Sequence, residues 1–348
     1  MRQSPLSVIS PAPRDAWREV VASDPESLIS QTPAWTDCVC AVTGSVDASR
    51  LYETADGRRL VLPMVRRRLA LVTTEASPPA GWGMGGLISS GAVGVDDLSA
   101  VLADLARGPA ARTSVRPNPL AAPLWAAARP PRAVAVPRLA HVLDLADGFA
   151  TVWAKRFTGE ARTAVRKAER AGLTVQCDTS GALIPVFYDL FCRSLDRWAD
   201  QQREPRALAQ WRGQRRDPLA KFQHIARTIA GACHVWVAWH RGRPAASILV
   251  LQGRNAHYTR GAMDKEVAGP TRATYLLHRL AIEEACRAGC QRYHMGESGG
   301  SASLAQFKTR FGARAYPYAE YHLERLPISR LDRALRAAVK RAIGFRDA

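Results

Sequence analysis

The clearest pattern in this chain lies in its second half. Three apolar runs, His234 to His240, Ala245 to Leu251 and His257 to Met263, follow one another closely. They are joined only by Arg241-Gly242-Arg243 and Gln252-Gly253-Arg254. Runs of this length with such short polar connections predict an antiparallel meander. Before it, the spacing predicts helices over Phe149 to Ala171, ended by Gly172, over Ile184 to Trp198 and over Leu219 to Ala230, with a strand at Leu173 to Cys177. After it, Pro270 opens a helix, Thr271 to Ala288, closed by Gly289. A strand Gln291 to Met295, a turn Gly296 to Gly300, a helix Ser303 to Arg310 and a strand Tyr316 to Leu323 complete this half.

The first half is less periodic. Helical runs are expected over Pro13 to Ala22, Cys38 to Val42 and Val95 to Ala106. Arg50 to Thr54 and Leu60 to Val65 form a hairpin around Asp56-Gly57. A glycine cluster follows at Gly81 to Gly86, and residues 109 to 137 hold seven of the 22 prolines, which reads as extended or connecting chain. A domain boundary near residue 148 fits, giving domains 1–148 and 149–326. The segment 327–348 is then a basic amphipathic helix, with Leu331, Leu335, Val339 and Ile343 about every fourth residue. Packing on the first domain is preferred for it over peripheral membrane contact.

At 348 residues, 47% hydrophobic and 23% charged, the chain has material for two packed domains. No stretch is apolar enough for a membrane span and residues 1 to 20 lack a signal-peptide core, so a cytoplasmic location is expected. Seven cysteines without a CxxC pair argue against a disulfide framework or a zinc ribbon. Cys286 and Cys290, with His294 beyond them, are read as small buried residues, and no metal is expected. Net charge is +18, but residues 1 to 150 carry 15 basic and 14 acidic groups against 34 and 17 in the remainder. A half-chain that basic attracts polyanions.

An antiparallel meander followed by helix, strand, helix and strand is the order of the GNAT acyltransferase fold. Three motifs make the likeness specific: Arg162 to Gly172, Tyr293 to Ser298, and Leu304-Ala-Gln-Phe307-Lys308-Thr-Arg310-Phe311-Gly312-Ala313. With Ser30 to Trp35 in the first half, they resemble the Fem-type aminoacyl-tRNA-dependent transferases of the GNAT superfamily. The resemblance implies an α/β (α+β) fold of two tandem GNAT-like domains, with mixed, mainly antiparallel sheets flanked by helices. It implies transfer of an amino acid from aminoacyl-tRNA to an amine of a small peptide, an antibiotic intermediate or a peptidoglycan precursor, with no bound cofactor.

Lys308 stands four residues after Leu304, beside a stripe that includes Phe307 and Phe311. Spacing alone favours a snorkelling lysine there. The resemblance favours a catalytic one, donating to the oxyanion of the tetrahedral intermediate. Glu297 is a candidate to orient or deprotonate the amine. Trp35, Tyr258, Arg260, Ser298 and Phe307 are candidates for the acceptor cleft, Tyr258 and Arg260 being expected on one strand face by period two. Arg162, Arg166 and Arg170 recur every four residues with Lys167 beside them, and Arg212, Arg215 and Arg216 surround Trp211. These suit a tRNA backbone, although solvated surface explains them as well. Two other readings stay open: an acyl-CoA N-acyltransferase, and a non-catalytic RNA-binding protein. Lys265 to Thr271, where a CoA-binding GNAT would carry its glycine-rich pyrophosphate loop, has one glycine and places Pro270 where a donor is wanted.

Overall fold

A computed structural model describes residues 6–69, 72–343 and 345. The chain divides into two compact units, residues 1–139 with 316–336, and residues 140–315 with 337–348. The first unit therefore reclaims the strand after residue 315, and the boundary falls nine residues before the expected 148. The division falls within the strand β1 (Val134–Asp144), which begins in the Pro-rich stretch expected to be mere connection. That stretch also forms a strand Arg112–Val115 and a helix Ala122–Ala128.

In the first unit, the hairpin Arg50–Glu53 and Arg59–Leu62 forms as expected, in a small four-stranded sheet. Apolar faces of its strands pack on the helix Val95–Arg107 through Leu60, Leu62, Leu98, Val101 and Leu105. The strand β7 (Arg314–Glu324) lies antiparallel to Arg112–Val115.

The second unit carries the chemistry. Its elements after β1 are a short helix Gly148–Thr151 running into a π-turn Val152–Arg156, then α1 (Gly159–Glu169) and β2 (Leu173–Asp178). There follow α2 (Ile184–Gln202), α3 (Arg206–Arg216), α4 (Leu219–Thr228) and the strands β3 (Cys233–His240), β4 (Arg243–Gln252) and β5 (Ala256–Met263). Then come α5 (Lys265–Thr271), α6 (Ala273–Arg287), β6 (Arg292–Glu297) and α7 (Ala302–Arg310). Beyond β7, the chain continues into α8 (Ile328–Ala342).

Strands β2 to β5 form the antiparallel meander, β6 lies parallel to β5, and β1 lies antiparallel to β6. Strand β4 is buried on both faces over Ala245–Leu251, as a central strand must be when helices cover both sides. One cover is α6 with the segment through α1, which contribute Phe157, Val165, Leu277 and Ile282 to a core that continues to Phe311. The other is α2 and α4, joined by Phe187, Phe191 and Phe222.

Three expectations change here. The single helix expected over 149 to 171 breaks at Phe157, whose backbone is extended, and Thr158 restarts it as the N-cap of α1. The polar stretch before Leu219, for which the sequence suggested no element, is the helix α3. Pro270 lies inside α5, and α6 starts only after Arg272 takes a left-handed conformation. No helix of the described residues is long and apolar enough to cross a membrane.

Candidate active site

The site is set by how β5 and β6 meet. Their parallel pairing registers only Ala256 with Tyr293 and His257 with His294. Within β5 a bulge follows: Val250 pairs with Tyr258 but Leu249 pairs with Arg260, so Thr259 is the inserted residue. The bulge cancels the period of two. Tyr258 lies on the side of α6, its ring 4.6 Å from that of His278, and its hydroxyl rests over Gly261, where any Cβ would collide with it. Arg260 turns instead to Asp217, at 3.1 Å. The expectation that the two share one face is therefore corrected.

On β6, Gly296 has φ 70°, and a Cβ there would stand 3.3 Å from the Tyr258 carbonyl oxygen. The strand then turns through Ser298–Ser301, and the Ser301 hydroxyl accepts from Leu304 N to start α7. On α7, Leu304 is exposed and Lys308 is the buried residue, 1% exposed. The lysine is not at the edge of the apolar stripe but in its centre. Its Nζ donates to the carbonyls of Gly296 at 3.0 Å and Glu297 at 2.8 Å. Burial pushes its pKa down to about 7, although the nearby Glu297 carboxylate works in the opposite direction.

That value matters because the two protonation states present different tools. An ammonium with two N–H groups held by carbonyls has a third to offer an oxyanion. A neutral amine with the same two bonds has a lone pair to accept a proton. Near neutral pH one atom can do both.

Four histidines surround this region and all are held neutral, first by burial. His141 and His257 are lowered to about 4 and His278 to about 3, with Lys308 a secondary cause in each, and His294 is also lowered. His141, on β1, holds the Ser298 hydroxyl with its Nδ1 at 3.0 Å. It stands where the β1–β6 register shifts between His294 and Glu297, so it pins the turn whose carbonyls grip Lys308. Phe307 is half-buried against His278, Tyr275 and Phe311.

Beyond Arg260, Asp217 is a fully buried carboxylate shared by Lys221 at 2.7 Å, Arg216 at 2.8 Å and Arg260. Burial alone would raise its pKa, but Arg260, Lys221 and Arg216 outweigh that and hold it below the usual carboxylate range. Burial lowers Lys221 to about 8 against the pull of Asp217.

The remaining candidates separate. Trp35 is buried in the first unit, its indole N–H donating to the Trp82 carbonyl at 3.1 Å, so it presents no ring to a ligand. Arg162 is spent on the backbone, donating to the carbonyls of Trp153, Ala154 and Phe157 at the end of the π-turn. Arg212 pairs with Glu204 at 2.7 Å, and Arg215 stacks over Trp211. Arg166 and Lys167 are exposed on α1, and Arg170 is exposed just after it. Lys167 also lines an open groove of about 430 Å³ with Glu160, Thr163, Arg272, Tyr275 and Arg310. Among the described residues no group of three or more His, Cys, Asp or Glu is placed to hold a metal ion.

Sequence reasoning missed His141, His278, the Asp217 cluster and the two carbonyl acceptors of Lys308. Asp217 and Lys221 at i, i+4 were a readable pair. A strand histidine and main-chain acceptors leave no mark in a sequence.

The buried lysine and the two strands that meet in the short parallel rung lie within residues 155–309, which match the model of the acetyltransferase (GNAT) domain. The likeness in fold to solved structures extends over nearly the whole chain. FemX superimposes with a TM-score of 0.66 at 12% identity, over 93% of this chain and 99% of that one. A conserved protein of unknown function from Bacteroides thetaiotaomicron VPI-5482 gives 0.55 at 14% identity, over 92% and 98%. The C-terminal domain of a putative lysylphosphatidylglycerol synthetase from Agrobacterium fabrum gives 0.51 at 13% identity, over 94% and 96%. No curated protein sequence matches significantly.

Proposed function

We propose that the protein transfers an aminoacyl group from aminoacyl-tRNA to the amine of a small peptide, an antibiotic intermediate or a peptidoglycan precursor. The observation that carries this reading is Lys308, buried, gripped by two carbonyls and poised near neutral pKa beside Glu297. The amine attacks the ester carbonyl, forming the C–N bond. Lys308 as an ammonium donates to the oxyanion of the tetrahedral intermediate. The C–O bond to the ribose then breaks, and the proton lost by the amine ends on the ribose hydroxyl. Tyr258 and Ser298 shape the acceptor side of this centre with Phe307, and Glu297 orients the amine.

Two further observations support tRNA as donor. The surplus of positive charge lies in the second half of the chain, where Arg166, Lys167 and Arg170 face solvent. The stretch that would be a pyrophosphate loop in a CoA enzyme is instead the helix α5. FemX and a lysylphosphatidylglycerol synthetase domain share the fold, which agrees with aminoacyl transfer. The acyl-CoA reading draws on the match to the acetyltransferase domain. Incubation with total tRNA charged with labelled amino acids, or with labelled acetyl-CoA, and a panel of amines decides between them: label passing to an amine from tRNA alone supports the proposal.

A further inference from the structure

Helix α8 carries an exposed apolar stripe. Leu331, Leu335 and Val339 are 67, 66 and 45% exposed, and Leu326 just before the helix is 54% exposed. The packing expected from the sequence is not present at these positions. At 3.6 residues per turn the three helical residues fall within an arc of about 80°. Arg330, Arg333, Arg336, Lys340 and Arg341 are all exposed and fall within an arc of about 140° on the other side. The helix has one acidic residue, Asp332, paired with Arg336, and a net charge of +4.

A partner for this surface must offer apolar material beneath the stripe and negative charge beside it. A nucleic-acid backbone supplies the charge without the apolar bed. A second copy of the helix supplies the bed but brings a like charge of +4 towards its own. An anionic lipid interface supplies both, with acyl chains under the leucines and phosphates at the depth of the arginines. We propose that α8 lies in the plane of an anionic membrane surface and holds the protein there peripherally. Fifteen residues with three exposed large apolar side chains give a reversible contact that salt weakens. The inference concerns location rather than chemistry and stands apart from the transfer reaction.

The test uses the full chain with phosphatidylcholine vesicles, with and without about 30% phosphatidylglycerol, pelleted at low and high salt. Binding to the anionic vesicles should be at least roughly 10-fold tighter and should fall as salt rises. Leu335→Glu should weaken it at least roughly 10-fold with no change in thermal unfolding, because its side chain is already exposed. Arg333→Glu with Arg336→Glu should act in the same direction. Equal binding to neutral and anionic vesicles, or full binding by Leu335→Glu, overturns the proposal. So does a dimer in sedimentation equilibrium that Leu335→Glu dissociates while no vesicle binding is found, since the stripe then belongs to a second copy.

Discussion

Burial holds Lys308 as a weaker base than an ordinary lysine, with a pKa of about 7, and that has consequences for rate and stability. In Lys308→Met the volume is nearly kept and the donor is lost, so turnover should fall roughly 100- to 1000-fold. The tRNA dissociation constant should stay within about twofold, because many other contacts carry binding. Lys308→Arg should rescue poorly, its planar fork not fitting two carbonyls on one nitrogen. The stability effect has a definite sign. Between about 7 and the ordinary lysine value of 10.5 the unfolded chain binds a proton that the folded chain does not. Unfolding free energy therefore rises with pH through that window, and the rise is absent from Lys308→Met. Denaturant unfolding of both proteins at pH 6.5 and pH 10 reads this directly; parallel curves would contradict the depressed pKa. His141 acts through the Ser298 turn. His141→Asn, which keeps a polar atom near the Nδ1 position, should retain most activity, whereas His141→Leu should lose roughly 10-fold in kcat with little change in KM. NMR titration of the Lys308 Nζ should show its pKa falling further below that of ordinary lysine in His141→Leu, as the carbonyl grip that stabilises the ammonium loosens. An unchanged pKa would leave His141 with a packing role only.

At the scale of elements, the run Phe-Lys-x-x-Phe-Gly has a physical reading. Phe311 packs edge-on against Phe157, with ring centres 5.1 Å apart, and Gly312 closes α7 at φ 83°. A Cβ on Gly312 would stand 2.5 Å from the Arg156 carbonyl oxygen, and Thr158 N donates to the Arg310 carbonyl at 2.9 Å. The end of α7 is thus fastened to the π-turn that Arg162 completes. Gly312→Ala forces backbone against backbone at a positive φ, and should cost about 2 kcal/mol or more in urea unfolding. The meander was legible from its apolar runs and short polar connections, and most of the helices, α7 among them, from their helical spacing and terminal residues. The bulge at Thr259 was not. It depends on how β4 and β5 register, and it is what sent Tyr258 and Arg260 to opposite faces. The break at Phe157 escaped as well, since the helical period continues through it and only tertiary contacts to Arg310 and Gly312 select the turn. Lys308 was expected at the edge of the apolar stripe, and its place was misjudged because Leu304, expected in the core, faces solvent.

For the whole molecule, the charge asymmetry in the sequence argues for a polyanionic partner. The structure narrows which residues can meet one. Changing Arg166, Lys167 and Arg170 together to Glu should weaken binding to different tRNAs alike and reduce the salt slope by about two to three. Arg162→Glu should act differently: it removes three carbonyl contacts and should lower the unfolding temperature. If that single change weakened tRNA binding with the fold intact, Arg162 would belong to the interface after all. Two units were expected from length and from the proline-rich stretch as well as from the family likeness, and the division at residue 139 falls inside a strand that begins in that stretch. The central claim, that Lys308 drives aminoacyl transfer from tRNA, is tested most directly by single-turnover transfer from charged total tRNA to a panel of amines, comparing the native chain with Lys308→Met. The account predicts an amide product from the native chain and a rate roughly 100- to 1000-fold lower in the variant at equal tRNA binding. Transfer from acetyl-CoA but not from tRNA, or an undiminished rate in Lys308→Met, would contradict it.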